Sequence, residues 1–384
     1  MTARRGGCQR GPPGGDLPAR RQALTRDGPT LDNFQIILNI HSPAASVALL
    51  REAATAERAG VRAAERIAEV HALLGDDMAL VDRELRRMTR EGVSPATDSA
   101  THLLEAGGKR VRPLTVLLSA ACFGSVSPVA RDVAVAAELV HLATLLHDDV
   151  VDDGQERRGK PTPRRLWGNA VSVLAGDLLL THALERTAAA APGPVLRDLF
   201  ATLRLLVDGE IVQLRGRTRL EPREDVYFRI VHDKTASLFA WAARAGATTA
   251  GASPDAVTAL GEFGARVGTA FQLVDDVLDY DGDPRATGKA VLGDLLEGKL
   301  TLPLIRAMVA RPSLADDVDA VRAGDEHAAG RVAEAVRASG VCEGVRAQAR
   351  EETARAQRAL DVVPACKARD LLSSIAAELA SRAA

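Results

Sequence analysis

Residues Ser127–Asp153 read SPVARDVAVAAELVHLATLLHDDVVDD. A serine able to cap a helix stands before a proline, whose missing N–H costs nothing in a first helical turn, and a long apolar run follows. The spacing predicts one helix from about Pro128 to Asp152, roughly 37 Å long at 1.5 Å per residue. Four aspartates close it, where packing alone would ask for leucine. The design recurs: Ser253-Pro254 opens a second apolar helix, expected to end near Asp279 in VDDVLD. Asp148, Asp149 and Asp152 thus repeat as Asp275, Asp276 and Asp279. Residues four apart share a helix face, so Asp148 with Asp152, and Asp275 with Asp279, are each expected to aim two carboxylates at one point. Like charges repel, and the C-terminal end of a helix already disfavours anions. A cation would resolve both penalties. Oxygen donors without cysteine suit a hard divalent ion, and Mg²⁺ takes one or two carboxylates and completes its shell with water and substrate phosphate. Two such ladders are read as gripping a diphosphate between them.

The remainder of the chain agrees with a helical reading. From about Glu65 onward, Ala/Leu/Val-rich segments of helical length alternate with short Gly/Pro/Ser breaks and almost no strand-like alternation, which predicts an all-α fold. The 384 residues, 46% of them hydrophobic, can bury one large core or two ordinary ones. Residues 1–61 are rich in Gly, Pro and Arg and read as a disordered N-terminal extension, leaving 62–384 as the folded domain. A net charge of -2 without any basic block argues against nucleic acid as a partner. The four cysteines are scattered, which fits neither a zinc site nor a disulfide framework and suits a reducing compartment. No apolar run reaches the roughly 20 residues needed to cross a bilayer, and the N-terminus lacks the order of a signal peptide. A cytoplasmic location is expected.

The cations cluster where the carboxylates do. Only six of the 49 basic residues are lysine, and lysine offers phosphate a compact, rotatable charge. Lys109 lies in GGKRVRP (Gly107–Pro113) with Arg112 three residues on, behind two glycines able to form an anion-cradling turn. Arg157, Arg158 and Lys160 follow the first ladder in RRGKPT. Lys234 stands beside Thr235 in HDKTASL, and Lys289 and Lys299 occupy the Gly-rich stretch after the second ladder. His141, two turns before Asp148, and Gln272, three residues before Asp275, share the ladder faces.

The stretches GGKRVRP, LLHDDVVDDGQERRGKPT, GDLLLTHAL, DGEIVQL, KTASLF, GTAFQLVDDVLDYDGD and GKAVLGDLLEGKLTLPLI, in that order, resemble the trans-polyprenyl diphosphate synthases across roughly residues 62–384. The resemblance implies an all-α isoprenoid-synthase bundle around a central substrate cavity, usually as a homodimer. It implies condensation of isopentenyl diphosphate onto an allylic prenyl diphosphate such as farnesyl or geranylgeranyl diphosphate. By that likeness Asp148, Asp152 and Asp275 would hold Mg²⁺, three ions per site, with Asp149, Asp276 and Asp279 supporting them. Arg157, Lys234, Thr235, Gln272, Lys289 and, more weakly, Lys299 would contact the allylic diphosphate, and Lys109, Arg112, His141 and Arg158 would hold isopentenyl diphosphate. One departure is DGQE before the arginine pair, where an acidic-Ser stretch is commoner.

Such chemistry accounts for the charge. Ionising an allylic C–O bond leaves a carbocation and a diphosphate, so cations must stabilise the leaving group while an apolar cavity excludes water. No dedicated base is evident, and the likeness implies that the released diphosphate takes the proton. Val140, Ala143 and Thr144 lie one to two turns above Asp148 and read as a chain-length ruler. In the family, bulky residues at the fourth and fifth positions before the first motif stop growth early. Small ones here favour a heptaprenyl to decaprenyl product, as for quinone side chains, released through a peripheral membrane contact. Three alternatives stand beside this reading. They are a short-chain synthase, a terpene cyclase, which would not need Lys109, Arg112 and His141, and a non-catalytic subunit, which would lack an Asp-rich motif.

Overall fold

The computed structural model describes residues 58–191, 193–218, 222–281 and 292–381. Nearly all of residues 1–61, read above as an extension, and Lys289 lie outside them. The chain is helical as the spacing predicts. Helices α1 (Arg58–Met88), α2 (Ala96–Glu105), α3 (Val111–Ala121) and α4 (Pro128–Val151) lead into a short hairpin. Then come α5 (Pro163–Trp167), α6 (Asn169–Ala190), α7 (Gly193–Thr218) and α8 (Glu224–Val231). A π-helical turn (His232–Ala236) joins α8 to α9 (Ser237–Thr249), and α10 (Pro254–Asp281) follows. The C-terminal part holds α11 (Gly293–Leu296), α12 (Leu302–Ala310), α13 (Leu314–Arg322), α14 (Glu326–Ala338), α15 (Val341–Ala359) and α16 (Lys367–Ser381).

Both predicted helix starts are capped as expected. Ser127 Oγ accepts from the Ala130 N–H at 3.1 Å, and Ser253 Oγ from the Ala256 N–H at 3.3 Å. Helix α4 ends where the first ladder ends, whereas α10 runs two residues past Asp279 because the buried Tyr280 extends its apolar face. Ala134, Ala136, Ala137, Leu139, Val140 and Leu142 of α4 are wholly buried, and α1, α3, α6 and α9 pack around it. A helix that is apolar on every side belongs at the centre of its bundle. A second core gathers Tyr227 of α8 and Ile305, Val332 and Val345 of the C-terminal helices. Helix α10 serves both cores, with Leu260 and Phe263 in the first and Leu273, Val277 and Tyr280 in the second. Its acidic end therefore lies among the residues of the second core.

The hairpin was not foreseen. Strands Glu156–Arg157 and Lys160–Pro161 pair antiparallel, and the two turn residues, Arg158 (φ 55°) and Gly159 (φ 72°), are both left-handed. That is the backbone of the tight primed turn that matches strand twist. Lys160 Nζ donates to the Glu105 carbonyl at 3.2 Å, and the His102 ring meets the Pro161 carbonyl at 2.9 Å, so the hairpin is tied to the end of α2. Among the described residues, no helix is long and apolar enough to cross a membrane.

Candidate active site

Asp148 and Asp152 from the end of α4, and Asp275 and Asp276 from the end of α10, border one cavity of about 480 Å³. Part of its wall is apolar, with Leu145, Leu206, Leu238 and Phe271. The two ladders, 127 positions apart in sequence, are brought to one space by the pairing of α4 and α10 with α9.

Two lysines cross this space. Lys234 Nζ lies 3.7 Å from Asp148 Oδ1 and is also ion-paired with Glu210. Lys299 Nζ lies 3.2 Å from Asp152 Oδ2 and 3.3 Å from Asp294 Oδ1, with Glu297 beside it. Burial disfavours the Lys299 ammonium, yet Asp294, Asp152 and Glu297 together hold it well above the usual lysine range. Lys299, expected to be a weaker candidate, is thus a full member of the cavity wall.

Lys234 is aimed by the π-helical turn, whose extra residue rotates the side chains that follow it. Helix α7 packs tightly on that turn at Gly209, where a Cβ would stand 2.8 Å from Asp233 Cβ and 3.0 Å from the Lys234 backbone nitrogen. Gly209→Ala is therefore expected to cost about 1–3 kcal/mol by overpacking and to lower turnover by displacing Lys234. Urea melts and steady-state kinetics on the same sample check both. Unchanged values would mean that the turn has room to move.

The middle aspartate of each ladder does not behave as its neighbours do. Asp149 is 1% exposed and does not border the cavity; its Oδ1 accepts from Arg157 Nε at 2.9 Å and Nη2 at 2.7 Å. Burial pushes the Asp149 carboxyl up, and the Arg157 guanidinium opposes it. Arg157 itself reaches the cavity, so Asp149 acts by fixing that arginine. Asp276 is likewise 1% exposed, and accepts from Tyr227 Oη at 2.6 Å and Gln272 Nε2 at 2.8 Å. Gln272 in turn accepts from Thr235 Oγ1 at 3.0 Å. Thr235 and Gln272, expected to meet substrate, also form a chain that braces Asp276. Burial pushes Asp276 up to about 7, the nearby Asp294 adds to this, and the Tyr227 and Gln272 hydrogen bonds oppose it. Asp279 differs from the expectation that it aims with Asp275: its Oδ1 accepts from the Asp294 N–H at 3.4 Å, and it does not border the cavity. The start of α11 places the Asp294 N–H there, which turns this carboxylate oxygen aside.

The expected isopentenyl group is only partly gathered at the cavity, since Lys109 and Arg158 do not border it. Arg112 and His141 border the cavity, and Arg112 stands 4.7 Å from the centre of the Phe239 ring. Burial pushes the Arg112 guanidinium down to about 10, with Glu138 opposing and Arg158 adding to it. Enclosure, then the fields of Arg112, Arg158, Arg157 and Arg110, hold His141 well below the usual imidazole range, so it is neutral at neutral pH. Lys109 is half-buried in the turn before α3, and Arg158 sits in the hairpin turn. The ruler separates. Thr144 borders the cavity, whereas Val140 (0% exposed) and Ala143 (2%) do not, because helices enclose α4 on every side and leave only its C-terminal part open. Phe271, which the sequence did not single out, forms part of the wall and leans on buried Phe239 with ring centres 6.0 Å apart.

These donors fit a divalent ion. Burial pushes the Asp148 carboxyl up to about 6, Glu210 and Asp152 add to this, and Lys234 opposes it. A hard cation would relieve that crowding. Among the described residues no three His, Cys, Asp or Glu side chains already converge as a metal cage.

Residues 94–339 match the profile of the polyprenyl synthetase family. The chain belongs to that family. It is 40% identical over 244 residues to heptaprenyl diphosphate synthase component 2 of Geobacillus stearothermophilus, covering 63% of this chain and 76% of that one. It is 38% identical over 240 residues to octaprenyl diphosphate synthase of Escherichia coli (62% and 74%). A crystal structure of polyprenyl synthase from Caulobacter crescentus, complexed with calcium and isoprenyl diphosphate, superposes with a TM-score of 0.78 at 37% identity, covering 82% of this chain and 98% of that one. The enzyme is thus a polyprenyl diphosphate synthase, a prenyltransferase with the all-α isoprenoid-synthase fold, and the heptaprenyl and octaprenyl synthases just named are of long-chain type.

Sequence reasoning missed further polar members of the synthase's site, among them Asp294, which meets Lys299. Glu210 shares Lys234 with Asp148, and Tyr227 holds Asp276. Glu210 lies inside DGEIVQL, already noted as a motif without a role, where it stands with Asp208 and Gln213 among apolar residues. Tyr227, one of only two tyrosines, carried no local signal.

Proposed function

We propose that this synthase uses Mg²⁺ to condense isopentenyl diphosphate onto an allylic prenyl diphosphate, giving a long-chain all-trans polyprenyl diphosphate for quinone side chains. One observation carries the reading. Asp148, Asp152 and Asp275 share one cavity, walled in part by apolar side chains, with Lys234, Lys299, Arg112 and His141. When bound, Mg²⁺ would supply charge neutralisation for the departing diphosphate, and Asp148, Asp152 and Asp275 are the residues to hold it. Lys234, Arg157, Thr235, Gln272 and Lys299 take the allylic diphosphate, with Lys289 from the stretch outside the described residues. Lys109, Arg112, Arg158 and neutral His141 take isopentenyl diphosphate, which brings its double bond to the allylic carbon. The apolar wall keeps water from the carbocation.

Product length follows from the far wall. Val207 (58% exposed) and Ile211 (44%) border the cavity and also reach the surface of α7, so a growing tail meets no closed floor on that side. Phe200 (52%), on the same helix, is exposed as well. A second copy covering this face would complete the wall, and a homodimer is the arrangement proposed. The enzyme would act in the cytoplasm and hand its product to a membrane surface.

The test is incubation of purified protein with Mg²⁺, labelled isopentenyl diphosphate and, separately, geranyl, farnesyl or geranylgeranyl diphosphate, followed by sizing of the products. A single heptaprenyl to decaprenyl product that disappears with EDTA is expected. No incorporation by folded protein would reject the reading and point to a missing second component or to a cyclase.

A further inference from the structure

Beneath the cationic side of the cavity lies a carboxylate that does not border it. Glu138 is on α4, one turn before His141, with its side chain 4% exposed. Its Oε1 accepts from Arg110 Nη1 at 2.8 Å, and the Arg110 side chain is 5% exposed. Arg110 precedes α3 in a left-handed conformation, φ 47° and ψ 32°, which a side chain with a Cβ rarely adopts without being held. Its Nη2 also reaches the Leu104 carbonyl at 3.4 Å. The same turn gathers a second arginine. A Cβ on Gly108 would lie 2.8 Å from Arg110 Nη1 and 3.0 Å from Arg158 Nη1, so both guanidiniums press against the glycine turn. The field of Glu138 also favours the charged forms of Arg112 and Arg158.

A buried ion pair seldom adds net stability, because desolvation offsets the attraction; its better-attested use is to select one conformation. We propose that Glu138 is the positioning residue of the isopentenyl diphosphate site, holding Arg110 in the left-handed turn so that Lys109, Arg112 and Arg158 face one diphosphate. The pair spans α4 and the start of α3, so it joins the helix carrying His141 to the one carrying Arg112. Three guanidiniums around one carboxylate leave a net positive pocket for a diphosphate to neutralise. The inference rests on the proposed isopentenyl site.

The test is steady-state kinetics on full-length Glu138→Gln, with each substrate varied in turn, and Arg112→Ala measured in parallel. Loss of a buried, charge-assisted hydrogen bond predicts that KM for isopentenyl diphosphate rises about 10- to 100-fold. The allylic KM and kcat should change by less than about threefold, a split that general unfolding would not produce. An unchanged or lowered KM for isopentenyl diphosphate would overturn the proposal, since a mere counter-charge, once removed, leaves a more cationic pocket. Equal loss across both substrates would also overturn it, as a structural role. If Arg112→Ala leaves that KM unchanged, the site assignment itself fails, and with it the premise. Should Glu138→Gln not fold, Arg110→Lys keeps both charges but loses the fork, and carries the same expectation.

Discussion

Asp148→Asn is expected to lower turnover by about a thousandfold or more while making the folded chain more stable at neutral pH. Both effects have one cause. Burial, with Glu210 and Asp152 adding to it, pushes the Asp148 carboxyl from its ordinary 3.8 up to about 6, against the pull of Lys234. The folded state therefore binds this proton more tightly than the unfolded chain does. Stability from this group is fully present below pH 3.8 and is lost as pH rises through about 6. Above that range the penalty stands at up to roughly 3 kcal/mol. Asparagine keeps the shape and removes the charge, so the variant should melt higher than the parent at pH 7 and equally near pH 4. Mg²⁺ with inorganic diphosphate should raise the melting temperature of the parent and not of the variant. Lower stability of the variant at pH 7, or retained turnover, would sink the assignment of Asp148 as a crowded metal ligand. A site built for a cation is strained without one, which is a familiar form of exchange between stability and activity.

Thr144→Phe is expected to move the product from long-chain to short-chain prenyl diphosphates. Thr144 is the ruler position that borders the cavity, one turn above Asp148, so a ring there would stand in the path of a growing tail. Sizing of the products from farnesyl and geranylgeranyl primers reads this directly, and an unchanged length would place the stop elsewhere, with Phe271 the next wall residue to vary. Ala143→Phe should behave differently. Ala143 is 2% exposed in the core, so the larger ring must displace its neighbours and cost about 1–3 kcal/mol, seen as a lower urea midpoint. Product length alone would not separate these two cases; stability and product measured together would.

Much of this enzyme is written locally. Ser127-Pro128 and Ser253-Pro254 specify helix starts because capping acts within one turn. The ladder spacing was legible for the same reason: residues four apart share a face whatever packs against it. The use of lysine beside those motifs marked phosphate chemistry before any fold was in view. What could not be read is which way each face turns. Asp148 and Asp149 are adjacent and chemically identical, yet one borders the cavity and the other is buried beneath Arg157. The pairs that decide the site, Glu138 with Arg110, Glu210 with Lys234 and Tyr227 with Asp276, join residues 24 to 49 positions apart. The hairpin that delivers Arg158 likewise depends on a left-handed arginine held by its surroundings. Sequence alone therefore determined the helices, their acidic ends and the chemistry those ends require. Only the tertiary structure decided which carboxylates meet the cavity and which brace its cations, because that choice is made by what packs against each helix, and no local spacing encodes it.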